Sequence, residues 1–197
     1  MTRRYELKQR AQRQADTRRR IIEAAVELHT ERGPAATHIN DIAQRAGVDR
    51  VTVYRHFPDL ASLFKACAAH YYSAHPLPDP TAWAAIADPQ ARLRHGLREL
   101  YAYWAHNAAA VANILRDAQV LGHLGVGRRL LALQRDAVEV LARDWSTSDQ
   151  HQPALAATIR VAVDFHTWHS LVRERGVSQQ AAVELAETWT RCLTSPH

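Results

Sequence analysis

The residues of this chain best placed to do chemistry lie between positions 50 and 56: Arg50, Val51, Thr52, Tyr54, Arg55 and His56. Their chemistry is recognition, not bond breaking. An arginine can bond two acceptors on a guanine edge, and Thr or Val can touch a thymine methyl. Tyr54 and His56 carry polar tips suited to phosphate oxygens, which fix register without reading sequence. Such side chains need a rigid support, and the preceding residues supply one. Ala43 is small where two helices would cross. Gly47 can take the positive φ that a turn between helices needs. Val53 and Phe57, four apart, point one face of the second helix back at the first. The stretch 39–57 therefore reads as two short helices joined by a tight turn. Thr37 is the expected N-cap of the first, with Asp41 in its first turn, and Asp49 caps the second.

The charge is uneven. The 197-residue chain has a formal net charge of +5, but residues 1–20 hold eight Lys or Arg against Glu6 and Asp16, a net of +6, so the other 177 sum to −1. A polyanion would be met at the amino end, where Arg18 and Arg19 adjoin the helix pair. Residues 1–15 read as a basic arm, and residues 3–20 would reach along or into a neighbouring minor groove. The plain alternative is a solvated basic tail.

Helical periodicity continues through the rest of the chain, without convincing strand alternation. A helix starting at Asp16 or Thr17 carries Ile21, Ile22, Ala25 and Leu28 and stops at Gly33-Pro34. Asp59 starts a fourth helix with Leu63, Phe64, Cys67 and Tyr71. Three prolines between 75 and 80 interrupt helix formation. Asp88-Pro89 opens a fifth, a shorter one covers 107–118, and 121–127 is a bend. A long helix then places Leu131, Val138, Leu141 and Trp145 in register. Pro153 opens another, closed by Gly176, and Ser178 caps the last. The fold class is all-α with about nine helices. The expected domains are the arm at 1–15, a three-helix helix-turn-helix domain at 16–58, and a helical domain at 59–197.

The strings IleIleGluAlaAla at 21–25, AspIleAlaGlnArgAlaGlyVal at 41–48, ThrValTyrArgHisPhePro at 52–58 and, more loosely, AspLeuAlaSerLeuPhe at 59–64 carry a resemblance. The stretch from about Thr17 to Tyr71 resembles the amino-terminal domain of the tetracycline-repressor (TetR) family of bacterial regulators. The resemblance implies that Arg50, Val51, Thr52 and Tyr54 lie at or near base edges, and Thr37, Tyr54 and His56 near phosphates. Many relatives have a small residue where Val51 stands and Lys where Leu60 stands, so base preference and one phosphate contact would differ. It also implies a small-molecule cavity among the middle helices and a dimer built by the last two. A twofold dimer makes a palindromic operator in double-stranded DNA the geometric expectation.

In the carboxy-terminal part, the aromatic and amphipathic residues Tyr101, Trp104, His123, Phe165, Trp168 and His169 form a candidate pocket set for an apolar or aromatic effector. Helix 153–175 carries two apolar stripes, as a helix buried on two sides would. Val172, with Ala182, Ala186 and Trp189 on the last helix, are the candidate dimer residues. The reading is a homodimeric repressor released by a small ligand. The alternative is an effector-independent DNA-binding protein whose helical domain only dimerises or docks a protein partner. No nucleophile motif or phosphate-binding glycine loop argues for an enzyme. No metal or other cofactor is expected, because His166 and His169, at i and i+3, lack further ligands nearby in sequence. Two cysteines imply no disulfide framework. No apolar run approaches a membrane span, and the basic amino end lacks an apolar signal core, so a cytoplasmic location is expected.

Overall fold

The computed structural model describes residues 2–148 and 150–194, with side chains described from Tyr5 onward. Every regular element among them is helical. The described chain divides into two units, and they do not follow chain order. One runs to Pro76 and takes back Ala112–Arg128; the other holds Leu77–Val111 and the chain from Arg129.

The first unit is built on α1 (Thr2–Arg32), α2 (Ile39–Ala46), α3 (Arg50–His56) and α4 (Leu60–Ala74). Its core joins Ile21, Ala25 and Leu28 of α1 to Ile42 and Ala43 of α2, Val53 of α3, Phe57, and Leu63 and Cys67 of α4. The α1 helix starts at Thr2, well before the Asp16 or Thr17 start that patterning suggests. Residues 5–15 are exposed and make no apolar face, yet are mostly strong helix formers, so α1 extends by propensity beyond the point where burial begins. The basic segment is thus a helix, not an extended arm. A helix ~10–12 Å across cannot enter a minor groove ~6 Å wide.

The caps explain the short helices. Gly47 sits at φ 64°, and the following Val48 N–H reaches Ala43 O at 3.0 Å, closing α2. The Asp49 carboxylate accepts from the Thr52 N–H at 2.5 Å and starts α3, and Asp59 does the same for Ser62 at 2.6 Å and starts α4. Thr37 is not the cap of α2. That position is His38, whose N–H donates to the Asp41 carboxylate at 3.2 Å. The Thr37 hydroxyl instead donates to Gly33 O at 2.7 Å.

The long helix α6 (Pro89–Leu121) bends at Asn107, whose φ of −114° and ψ of 17° leave the helical region. Its last turns belong to the first unit and cap α1. Asn113 Nδ2 donates to Thr30 O at 2.8 Å, and Arg116 Nη2 to Arg32 O at 3.0 Å. The buried Asp117 carboxylate accepts from the Ala35 N–H at 2.8 Å. These bonds satisfy carbonyls and an amide that the end of a helix otherwise leaves bare.

In the second unit, α5 (Pro80–Trp83), the first part of α6, α7 (Arg128–Leu141), α8 (Gln152–Val163), α9 (Phe165–Trp168) and α10 (Gln179–Thr194) pack around Leu97, Leu100, Trp104, Leu133, Leu141, Ile159 and Ala186. Leu131 is not in that core: it is 52% exposed, and Leu130 and Leu133 point inward instead. The expected single helix at 153–175 is broken. Asp164 adopts an extended conformation, and its carboxylate caps α9 through the His166 and Thr167 N–H groups. Ala162 O, next to the break, accepts from the Tyr101 hydroxyl at 2.9 Å. A π-helical turn, His169–Glu174, follows α9.

Candidate nucleic-acid interface

The α3 helix is pinned from beneath and bare above. Val53 is fully buried and Phe57 nearly so, while Val51 is 73% and Tyr54 41% exposed. Arg50 Nη2 donates to the Tyr54 hydroxyl at 3.2 Å, and its guanidinium lies 5.4 Å from the Tyr54 ring centroid. The pair thereby presents one organised donor-rich surface. Thr52, in contrast, is buried, and its Oγ1 accepts from Arg55 Nη2 at 3.1 Å. Its hydroxyl is engaged with Arg55 inside the chain. The Thr37 hydroxyl likewise has a partner within the chain, Gly33 O.

Beside the end of α3, the amino-terminal half of α1 forms a cleft of about 300 Å³ lined by Gln14, Ala15, Arg18, Arg55 and His56. The Arg18 guanidinium stacks 4.7 Å from the Phe57 ring centroid, which holds it at the cleft. Burial lowers the His56 pKa, and the Arg55 and Arg18 charges lower it further. The two arginine charges beside it make the cleft cationic, as an anion site would be. Arg19 is directed elsewhere: it pairs with Glu23, four residues on, at 2.9 Å. Gln14 and Ala15 were not singled out by sequence, because their role depends on α1 being helical back beyond Asp16. On the flank, Arg45 bridges Glu27 and Glu31 at 3.0 Å each, tying α2 to α1. Leu60 is 42% exposed and offers no donor.

The candidate pocket residues of the second unit mostly converge. The Phe165 ring lies 5.7 Å from Trp104, 5.6 Å from Trp168 and 5.7 Å from His169. The Trp104 and Trp168 rings are fully buried, and neither indole N–H has a hydrogen-bond partner among the described residues. Tyr101 is occupied with Ala162 O. His123 belongs to the other unit, where it is exposed on the short turn Gly122–Leu124 with Nδ1 3.1 Å from Val120 O. His169 faces Glu174 at 3.3 Å, while His166 is exposed. Of the candidate dimer residues, Ala182 and Ala186 are already buried within one chain, because small residues let α10 approach its own neighbours closely. Val172 and Trp189 are half-buried.

A capped three-helix head that exposes Arg50, Val51 and Tyr54 above a buried Val53 and Phe57 defines a helix-turn-helix DNA-binding protein. Residues 21–67 match the family model described as bacterial regulatory proteins, tetR family. The repressor LfrR of Mycolicibacterium smegmatis is 28% identical over 151 residues, spanning 73% of this chain and 72% of its own. The regulator TtgR of Pseudomonas putida is 42% identical over 60 residues, 30% of this chain and 29% of its own. A TetR-like regulator from Rhodococcus sp. RHA1 shares the fold with a TM-score of 0.59 and 20% identity, covering 91% of this chain and 97% of its own. These matches support a TetR-family transcriptional regulator, with the family model covering the helix-turn-helix segment, residues 21–67. No helix of the described residues is long and apolar enough to cross a membrane.

Proposed function

We propose that this chain is a homodimeric repressor that reads a palindromic operator and leaves it when a small apolar or aromatic ligand binds the second unit. One observation carries the DNA part: the exposed Arg50, Val51 and Tyr54 face of α3, set on a capped and buried support. Arg50 reads a purine edge, Val51 gives apolar contact, and Arg18, Arg55 and His56 hold backbone phosphates. Dimerisation is supported by apolar surface left on α8 and α10. Ala154, Ala157 and Val161 are exposed on α8, and Leu185 and Trp189 are half-buried on α10. The ligand reading is supported by the Trp104, Phe165 and Trp168 cluster, with two buried indole donors lacking acceptors among the described residues. A ligand bearing an acceptor would relieve that cost. The complete burial of Trp104 and Trp168 favours a second reading, in which the helical unit only dimerises or docks a protein.

Selection of bound sequences from a random duplex pool tests the proposal. Enrichment of an inverted repeat supports it; enrichment of no sequence refutes the DNA reading. A ligand screen against the operator complex separates the two readings of the second unit, since a releasing compound excludes the effector-independent one.

A further inference from the structure

The amino-terminal half of α1 contributes no described residue to the core of its own unit, which begins at Ile21. Residues 5–15 are exposed, although they continue the helix whose later turns form the core. Two rows run along it toward the cleft beside α3. Lys8, Ala11, Ala15 and Arg18 recur at spacings of three and four, and Arg10, Gln14 and Arg18 at four, so both rows lie on adjoining faces of one helix. Lys8 heads one row, Arg10 follows Glu6 by one turn on the other, and both rows end at Arg18 in the cleft, where Arg55 and His56 meet them from α3. The alanines between the cations leave room for close approach. The acidic Asp16 is turned off this side, held by the Gln12 side chain at 3.2 Å.

We propose that this helical overhang binds the DNA backbone outside the sequence that α3 reads, as a sequence-neutral brace on the flanking duplex. The proposal rests on the DNA-binding reading above. Charge complementarity selects the occupant, because cations lie along both rows and the cleft at their end is cationic. The helix is too wide for the minor groove, and cations spaced by Ala and Gln, with no other base-reading side chain between them, suit phosphates. From Thr2 to Arg18 the overhang is about 24 Å long at ~1.5 Å per residue. Backbone charges recur every ~3.4 Å along each strand, so it spans at most about seven base pairs. Phosphates carry no sequence information, so the overhang lengthens the footprint without changing the preferred operator.

The test uses the full chain and two duplexes: the selected operator alone, and the same operator with about ten extra base pairs on each side. K8E/R10E is compared with the parent chain across a salt series. The parent binds the long duplex more tightly and with a steeper salt dependence. The variant loses that advantage, with a slope lower by about 0.9 for each lost contact, near 1.8 per protomer. It binds the short duplex like the parent. Equal affinity of the parent for both duplexes overturns the proposal, and so does an equal loss by the variant on both. Variant-sensitive binding to phosphatidylglycerol vesicles, with no preference for long DNA, overturns it in favour of a membrane surface. Failure of the parent to bind either duplex refutes the DNA reading itself and is distinct from these outcomes.

Discussion

Protonation of His29 sets an acid limit on the stability of the reading head. His29 lies on α1 with its ring 5.5 Å from the Phe64 ring, and it is 9% exposed. Burial lowers its pKa to about 4, and the nearby Asp117 charge opposes this only in part. In the unfolded chain the imidazole titrates near its model value of 6.5. Above that pH both states are neutral and stability is complete. Below it the unfolded chain gains a proton that the folded chain refuses, so stability falls until the folded pKa is reached and then levels off. Between pH 7 and pH 5 the difference amounts to about 2 kcal/mol, more than a tenfold change in the folding equilibrium. All five tryptophans lie in the other unit. Urea unfolding should therefore be followed by far-UV circular dichroism, with parallel NMR titration of the His29 ring. His29→Gln should lose about 2 kcal/mol less than the parent over the same interval. Equal pH dependence in the two proteins, or a His29 ring titrating near 6.5 in the folded state, would refute the reasoning.

Three further outcomes are expected. Gly33→Ala should cost roughly 1–3 kcal/mol, read by urea unfolding, because Gly33 holds φ +94° and an added Cβ would collide with the Arg116 and Asp117 side chains. Arg50→Ala should lose about 1–3 kcal/mol of operator affinity and relax preference at one position of the half-site, measured by titrating single-base operator variants. Operator affinity should rise as pH falls through the His56 range, because a phosphate favours the imidazolium that burial, Arg55 and Arg18 disfavour in the free protein. His56→Gln should flatten that pH profile.

The helix-turn-helix was legible because its signals are local: Gly47 at the turn, Asp49 at the cap, and Val53 and Phe57 at helical spacing. Two kinds of feature were not. The reach of α1 is set by propensity over a stretch with no apolar stripe, so patterning began it too late. The side on which a short helix buries Thr52 depends on Arg55 folding back over it, which spacing alone leaves open. In the second unit, the aromatic residues near 104 and 165 meet as their types suggest. His123 falls in the other unit, because α6 carries the chain there before that position. The break at Asp164 is concealed by apolar residues continuing on both sides, and its stabilisers, the Asp164 cap and the Tyr101 hydroxyl, come from a side-chain choice and a distant residue.

The grip of Asn113, Arg116 and Asp117 on the end of α1 has a consequence for how the head is made and moved. The reading head is discontinuous in the gene. During synthesis α1 to α4 emerge before the turns that close the end of α1 exist, so the head reaches its final stability only after α6 has been made. A chimera that cuts the chain after α4 and grafts the head onto another regulator would leave the Thr30 and Arg32 carbonyls and the Ala35 amide without these partners. The natural unit of exchange is therefore the head together with the closing stretch of α6.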